Sequence, residues 1–171
     1  RSTAACGSSS GGSGAHNPSP TVTSTHKNIH VVTRDSHTVA AGTTVQIGVP
    51  KQGAAALIHI GKPKVSRTRL SKSYGYGPAH GYYVTFPVKI FNDGVNPLVI
   101  ERLDFFVRIA GEGKINTNEG NSPYSGARTQ LDTTELTTGQ SVSNFLTFDV
   151  SRPHGRFVYA PGHKSSVDWT F

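Results

Sequence analysis

Residues Tyr82–Phe91 read Tyr-Tyr-Val-Thr-Phe-Pro-Val-Lys-Ile-Phe, and this stretch decides the fold class. Its even positions, Tyr82, Val84, Phe86, Val88 and Ile90, are all apolar, whereas Thr85, Pro87 and Lys89 stand among the odd ones. Alternation of that kind puts one face of an extended strand in a core and the other toward water. Pro87 has no N–H to offer a ladder, so the strand is expected at a sheet edge or bulged there.

Working outward, Asn92-Asp93-Gly94 is a turn signal that Asn96-Pro97 prolongs. A strand over 98–110 follows, with Leu103, Phe105, Val107 and Ile109 facing one way and Arg102, Asp104 and Arg108 the other. Residues 111–127, rich in Gly, Asn and Ser, read as a long surface loop. Further strands are expected over 128–137, 141–150, 156–160 and 166–171; Leu146, Phe148 and Val150 share a face, as do Val167, Trp169 and Phe171. Upstream, 54–65 carries Leu57, Ile58 and Ile60 before turning polar at Lys62 and Lys64. No stretch keeps a helical period with caps. Short strands at roughly 8–14-residue spacing predict an all-β chain, a two-sheet antiparallel sandwich over 54–171. Its expected core is Val84, Phe86, Val88, Ile90, Leu103, Phe105, Val107, Leu146, Phe148, Tyr159 and Trp169.

The rest of the chain reads differently. From Gly7 to about Thr25 the run GSSSGGSGAHNPSPTVTST has almost nothing to bury, so residues 1–27 are expected to be a disordered tether. Residues 28–53 hold β-branched side chains from Ile29 to Val49 with turn residues between them, and fit either a hairpin or an extended arm.

Composition limits the possibilities. The 171 residues include 17 Lys+Arg, 10 Asp+Glu, one Cys and no Met, for a formal net charge of +7. Without a Met, a processed or trimmed product is expected. One cysteine cannot close an intrachain disulfide or build a Cys-rich zinc site. No apolar run reaches the ~18–20 residues of a membrane-spanning helix. The charge is lopsided: residues 1–79 hold nine Lys/Arg against Asp35 alone, and 80–171 hold eight against nine acids. A basic first part is expected to be drawn to acidic surfaces or polymers.

The run Leu131-Asp132-Thr133-Thr134-Glu135-Leu136-Thr137-Thr138-Gly139-Gln140-Ser141-Val142 leads into Phe145-Leu146-Thr147-Phe148-Asp149-Val150, and the chain closes on Asp168-Trp169-Thr170-Phe171. Together with Lys89-Ile90-Phe91-Asn92-Asp93-Gly94, this resembles the Ig-like domain of bacterial, especially actinobacterial, secreted proteins and lipoproteins, a family related to a mycobacterial immunoprotective extracellular antigen. The resemblance covers ~80–171 well, 54–79 loosely and 1–53 not at all. Its motifs are structural, a turn of the Leu-x-Pro-Gly-Gln type and a strand of the Phe-Asp-Val-Pro type, and it carries over no catalytic residue. It implies an immunoglobulin-like sandwich and an extracellular or cell-envelope location.

Cys6 fits that location. Thr3-Ala4-Ala5 before it and Gly7-Ser8-Ser9-Ser10 after it resemble the end of a lipobox, where the cysteine is acylated; Thr3 departs from the usual aliphatic residue. Two or more acyl chains would hold a protein on the outer face of a membrane where one would not.

Candidate binding residues come next. Lys62, Lys64, Arg67, Arg69 and Lys72 place five cations in 11 residues without an acid, with Lys62 and Lys64 expected on one strand face. They suit an anionic envelope polymer; they equally suit a solvated edge strand whose lysines deter pairing with other chains. Nucleic acid is the weaker partner, because no groove-reading motif accompanies the charge. Tyr74, Tyr76 and Tyr82 form a Gly-rich aromatic loop able to stack on sugars or bases, or simply to close one end of the sandwich.

The eight histidines have no metal-ligand spacing, His26 and His30 being the first pair to test, and no cofactor is expected. Asp132, Glu135 and Asp149 read as solvated carboxylates around a turn and on an exposed strand face. Ser141 and Ser143 lack evident partners, and no nucleophile elbow or phosphate loop is present. The first reading is a non-enzymatic, envelope-tethered or secreted Ig-like binding module. A soluble polyanion-binding module using 62–72 is the alternative, and a hydrolase or metal-binding protein the third class.

Overall fold

The structure, a computed structural model, describes residues 29–32, 37–49, 54–127, 130–163 and 166–171. Two sheets face each other. The first contains β1 (Ile29–Val32), β3 (Thr44–Val49), β4 (Ala54–Ile60), β6 (Tyr82–Asn92) and β11 (Ser141–Val150) in the order β1-β3-β4-β6-β11, with β5 (Lys64–Ser66) also paired to β6. The second runs β2-β13-β12-β8-β9, from β2 (His37–Ala40), β13 (Val167–Thr170), β12 (Arg156–Tyr159), β8 (Phe105–Ile109) and β9 (Gly113–Asn116). A small third ladder joins β7 (Leu98–Ile100) to β10 (Thr134–Leu136). The chain is a β-sandwich.

The apolar positions read from the sequence fill the space between the sheets. Val84, Phe86, Val88 and Ile90 of β6 and Leu146, Phe148 and Val150 of β11 are buried opposite Phe105, Val107, Tyr159 and Trp169 of the second sheet, where Phe157, not among the expected core residues, joins them. Phe86 is the hub, with ring centroids of Phe157, Phe171 and Phe148 at 4.6, 4.9 and 6.0 Å. Tilted and edge-on aromatic pairs of this kind contribute ~0.5–1.5 kcal/mol each beyond the area they bury.

The structure departs from the expectations in several places. The sandwich is not purely antiparallel, since β1 lies parallel to β3 and β2 parallel to β13. β2 and β3 do not pair with each other; the chain passes at Ala41–Thr43 from one sheet to the other, and the Trp169 indole N–H donates to the Thr43 carbonyl at 3.1 Å. Pro87 does not sit on an edge strand, because β6 is flanked by β4 and β5 on one side and β11 on the other. The irregularity falls on the neighbour instead: residues 61–63 stand opposite only Phe86 and Pro87, and the Gly61 N–H donates to the Pro87 carbonyl at 2.8 Å.

The expected strand over 98–110 is broken by a 3-10 turn at Arg102–Asp104. That turn separates β7, which pairs with β10, from β8, which pairs with β12 and β9. The break cancels the side-chain alternation across it, so Leu103, expected in the core, is 52% exposed. The 128–137 strand is reduced to β10 plus a bridge of Gln130 to Phe145.

Candidate functional site

Residues 67–81 and 117–127 leave the ends of β5 and β9 and fold over the outer face of the first sheet. They are stitched together through backbone: Leu70 N–H donates to Ser125 O at 2.7 Å and Tyr76 N–H to Tyr124 O at 2.8 Å. Two glycines permit the approach. A Cβ on Gly75 (φ +95) would lie 2.7 Å from Gly126 N, and one on Gly126 (φ +75) would lie 2.7 Å from Tyr74 O. No real side chain tolerates that spacing, so the loops meet only where both chains lack one.

Beneath the loops, two outward-pointing residues of the sheet are fully covered. Asp149 of β11 and Tyr83 of β6 are direct register partners and both are 0% exposed. The Asp149 carboxylate accepts the backbone N–H groups of Ala79 (2.7 Å) and Asn121 (2.7 Å) on one oxygen and of His80 (2.9 Å) on the other. The Tyr83 hydroxyl lies 3.0 Å from Tyr76 O and 3.1 Å from Asn121 O, with one proton to donate between them. The Asn121 side-chain amide donates to Gly77 O at 2.9 Å. Burial, and secondarily the Asp149 charge, pushes the Tyr83 phenol up to about 12. Asp149, read from sequence as solvated, is thus buried. Its strand face points outward as expected, but the 111–127 segment, read as a free surface loop, covers it.

This clamp presents the aromatic side chains. Tyr74, Tyr76 and Tyr124 are 63%, 66% and 62% exposed, and the Tyr76 and Tyr124 rings meet edge to face with centroids 6.3 Å apart. Tyr124 has no sequence signal linking it to the 74–82 loop, because 48 positions separate it from Tyr76. Tyr82 behaves differently: it is half-buried, its hydroxyl accepts from Arg67 Nη2 at 2.6 Å, and the Arg67 guanidinium lies 4.8 Å over its ring. That face of Tyr82 is occupied by its own chain.

The basic segment borders the tyrosines. Leu70 and Ser71, which touch Ser125 and Gly126, lie within 69–72, so Arg69 and Lys72 flank the loop that carries Tyr124. Arg69 Nη2 donates to Lys72 O at 2.9 Å and thereby shapes that turn. Lys62, Lys64, Arg67, Arg69 and Lys72 are all exposed. Lys62 falls in the gap between β4 and β5 and does not share a strand with Lys64. β5 has β6 as its neighbour on one side only, so Lys64 stands on a sheet edge.

A cleft of about 250 Å³ adjoins the clamp, lined by His80, Glu112, Lys114, Ile115, Glu119 and Asp149. His80 Nδ1 is 3.6 Å from Asp149 Oδ1, whose carboxylate already holds three backbone N–H groups. Glu119 accepts from both nitrogens of Asn116, and Ser151 Oγ bonds Glu112. These groups serve the loops' own structure. Among the described residues no group of three or more His, Cys, Asp or Glu side chains is placed to hold a metal ion. Cys6 and His26 lie outside the described residues, as does the His30 side chain. Asp132 and Glu135 are exposed, as expected.

No protein-family model matches the chain, and no curated protein matches it in sequence. Similarity to solved structures is found at the level of the fold. The secreted protein MPT63 of Mycobacterium tuberculosis superposes with a TM-score of 0.50 at 13% identity, over 80% of this chain and 98% of its own. The yjhA protein of Bacillus subtilis gives 0.50 at 14% identity, over 78% and 98% respectively.

Proposed function

We propose that this chain is a non-enzymatic binding module working outside the cell or on its envelope, and that it recognises its partner with the surface formed by Tyr74, Tyr76 and Tyr124. One observation carries the reading. Exposed aromatic rings from two distant loops converge on one surface, and buried Asp149 and Tyr83 hold those loops to the sheet. Rigid aromatic anchors lose little conformational entropy on binding and offer apolar rings with polar tips, which suits sugars and proteins alike. Arg69 and Lys72 beside them add attraction for an acidic partner. The likeness in fold to a secreted protein supports the location without defining a ligand.

In this reading Cys6 is the anchor and the tether separates the sandwich from the membrane. Intact-mass analysis of the N-terminal peptide from native membranes tests it: a lipid adduct on Cys6 is expected, and an unmodified Cys6 still preceded by Arg1–Ala5 ends the anchored version. For recognition, the purified protein is sedimented with cell envelopes of its native source. The wild type should co-sediment, and Tyr74→Ala/Tyr76→Ala/Tyr124→Ala should not. Equal sedimentation of both, or of neither, overturns the tyrosine surface.

The polyanion alternative has its own support in five exposed cations. Retention that falls steeply between low and moderate salt, and that disappears when residues 62–72 are neutralised while the tyrosines are kept, would favour it.

A further inference from the structure

On the second sheet, away from the tyrosines, register assembles cations that the sequence keeps far apart. Lys114 is the direct partner of Arg108, and Arg108 is the direct partner of Arg156. Three cations therefore stand side by side across β9, β8 and β12 on the outer face. Like charges directly opposite one another in a sheet destabilise it. Part of that repulsion is relieved locally: Lys114 Nζ and the Arg108 guanidinium lie 4.4 and 5.4 Å from the Phe106 ring centre, and Arg156 Nη1 is 3.6 Å from Asp168 Oδ2. Lys114 also borders the cleft that holds Glu112 and Glu119. Arg108, in the middle, has the ring but, among the described residues, no carboxylate in ion-pair distance.

Arg108 and Arg156 open onto a hollow of about 490 Å³ at the end of this sheet. His154 and Thr170 complete its polar lining, and Ile109, Ala110 and Phe171 its apolar lining. The lining thus holds two fixed positive charges with apolar surface beside them, Arg156 being shared with Asp168, which stands outside the lining. Guanidinium groups bind oxyanions through paired N–H donors. Arg108 with Arg156, the latter shared with Asp168, suits the −1.5 to −2 charge and three oxygens of a phosphate monoester better than a single carboxylate. We infer that this hollow is a binding site for a phosphate monoester with an apolar body, its phosphate held by Arg108 and Arg156 and its body resting on Ala110 and Phe171. This inference is independent of the tyrosine surface, which lies on the other sheet.

Phenyl phosphate is the probe, titrated into the full chain by calorimetry at fixed ionic strength, with inorganic phosphate and benzoate as partial ligands. Phenyl phosphate is expected to bind about tenfold more tightly than either, the worth of ~1.4 kcal/mol. Arg108→Gln and Arg156→Gln should each lose that binding, while Lys89→Gln, an exposed charge on the other sheet, keeps it. Arg108→Gln should melt within about 2 °C of the wild type, as an exposed substitution does, so that its loss of binding is not loss of fold; Arg156→Gln also deprives buried Asp168 of its ion partner, so its binding is read well below its own melting temperature. Absence of binding, binding unaffected by either arginine change, loss in Lys89→Gln as well, or inorganic phosphate binding as tightly as phenyl phosphate each overturn the inference.

Discussion

Tyr83 and Asp149 face each other as direct partners across β6 and β11, and between them they hold both loops of the tyrosine surface. The carboxylate takes three loop N–H groups, and the phenol stands against two loop carbonyls. Neither contact belongs to the hydrophobic core. They lie on the outer face of the sheet, where covering loops keep water from the carboxylate and the phenol, which therefore find their partners inside the protein.

Asp149→Asn keeps the size of the side chain but turns one acceptor into an N–H₂ group facing backbone donors. A loss of about 2–3 kcal/mol is expected in urea unfolding, the cost of leaving buried donors unpaired. The amides of Ala79, His80 and Asn121 should exchange faster than those of the core strands. Unchanged stability and unchanged exchange would remove the clamp from the account.

Alkaline pH should weaken the fold. The Tyr83 phenol is raised from 10.0 to about 12 by burial and by Asp149, and Tyr159 is raised further by burial and then by Asp104 and Glu101. Above pH ~10 the unfolded chain gives up phenolic protons that the folded protein keeps, so stability is full below that value and falls as pH rises through the folded values. Tyr83→Phe should flatten part of this slope; an identical slope in the variant would refute its contribution.

Asn92 closes the turn that begins the sequence's clearest loop. Fully buried, it donates to Asn96 O at 2.8 Å and Leu136 O at 2.9 Å and accepts from Gly94 N–H at 2.9 Å. Asn92→Ala removes three bonds and strands their partners, and about 2–4 kcal/mol of destabilisation is expected in chemical denaturation. A change under ~1 kcal/mol would mean that water replaces the side chain.

Gly126→Ala should cost about 1–3 kcal/mol, because it combines a left-handed backbone with a Cβ 2.7 Å from Ser71 Cβ and Tyr74 O. The same substitution should weaken envelope sedimentation by shifting Tyr124 away from Tyr76. Full stability with full retention would show that the loops need no close contact.

Alternation by itself determined which residues of β6, β11 and β13 face the core, because burial on one face of a strand leaves a period of two in the sequence. Residue type alone marked the Asn92 turn and the cations of 62–72. Leu103 escaped that logic, since one 3-10 turn resets the alternation without leaving a pattern of its own. Sequence placed Asp149 on the outward face correctly; only the fold showed that loops from 67–81 and 117–127 come to lie over it. Tyr124 beside Tyr76, and Lys114, Arg108 and Arg156 in one row, are matters of register and loop packing between residues far apart in the chain. Such contacts are set by how strands pair in three dimensions, and no local period records them.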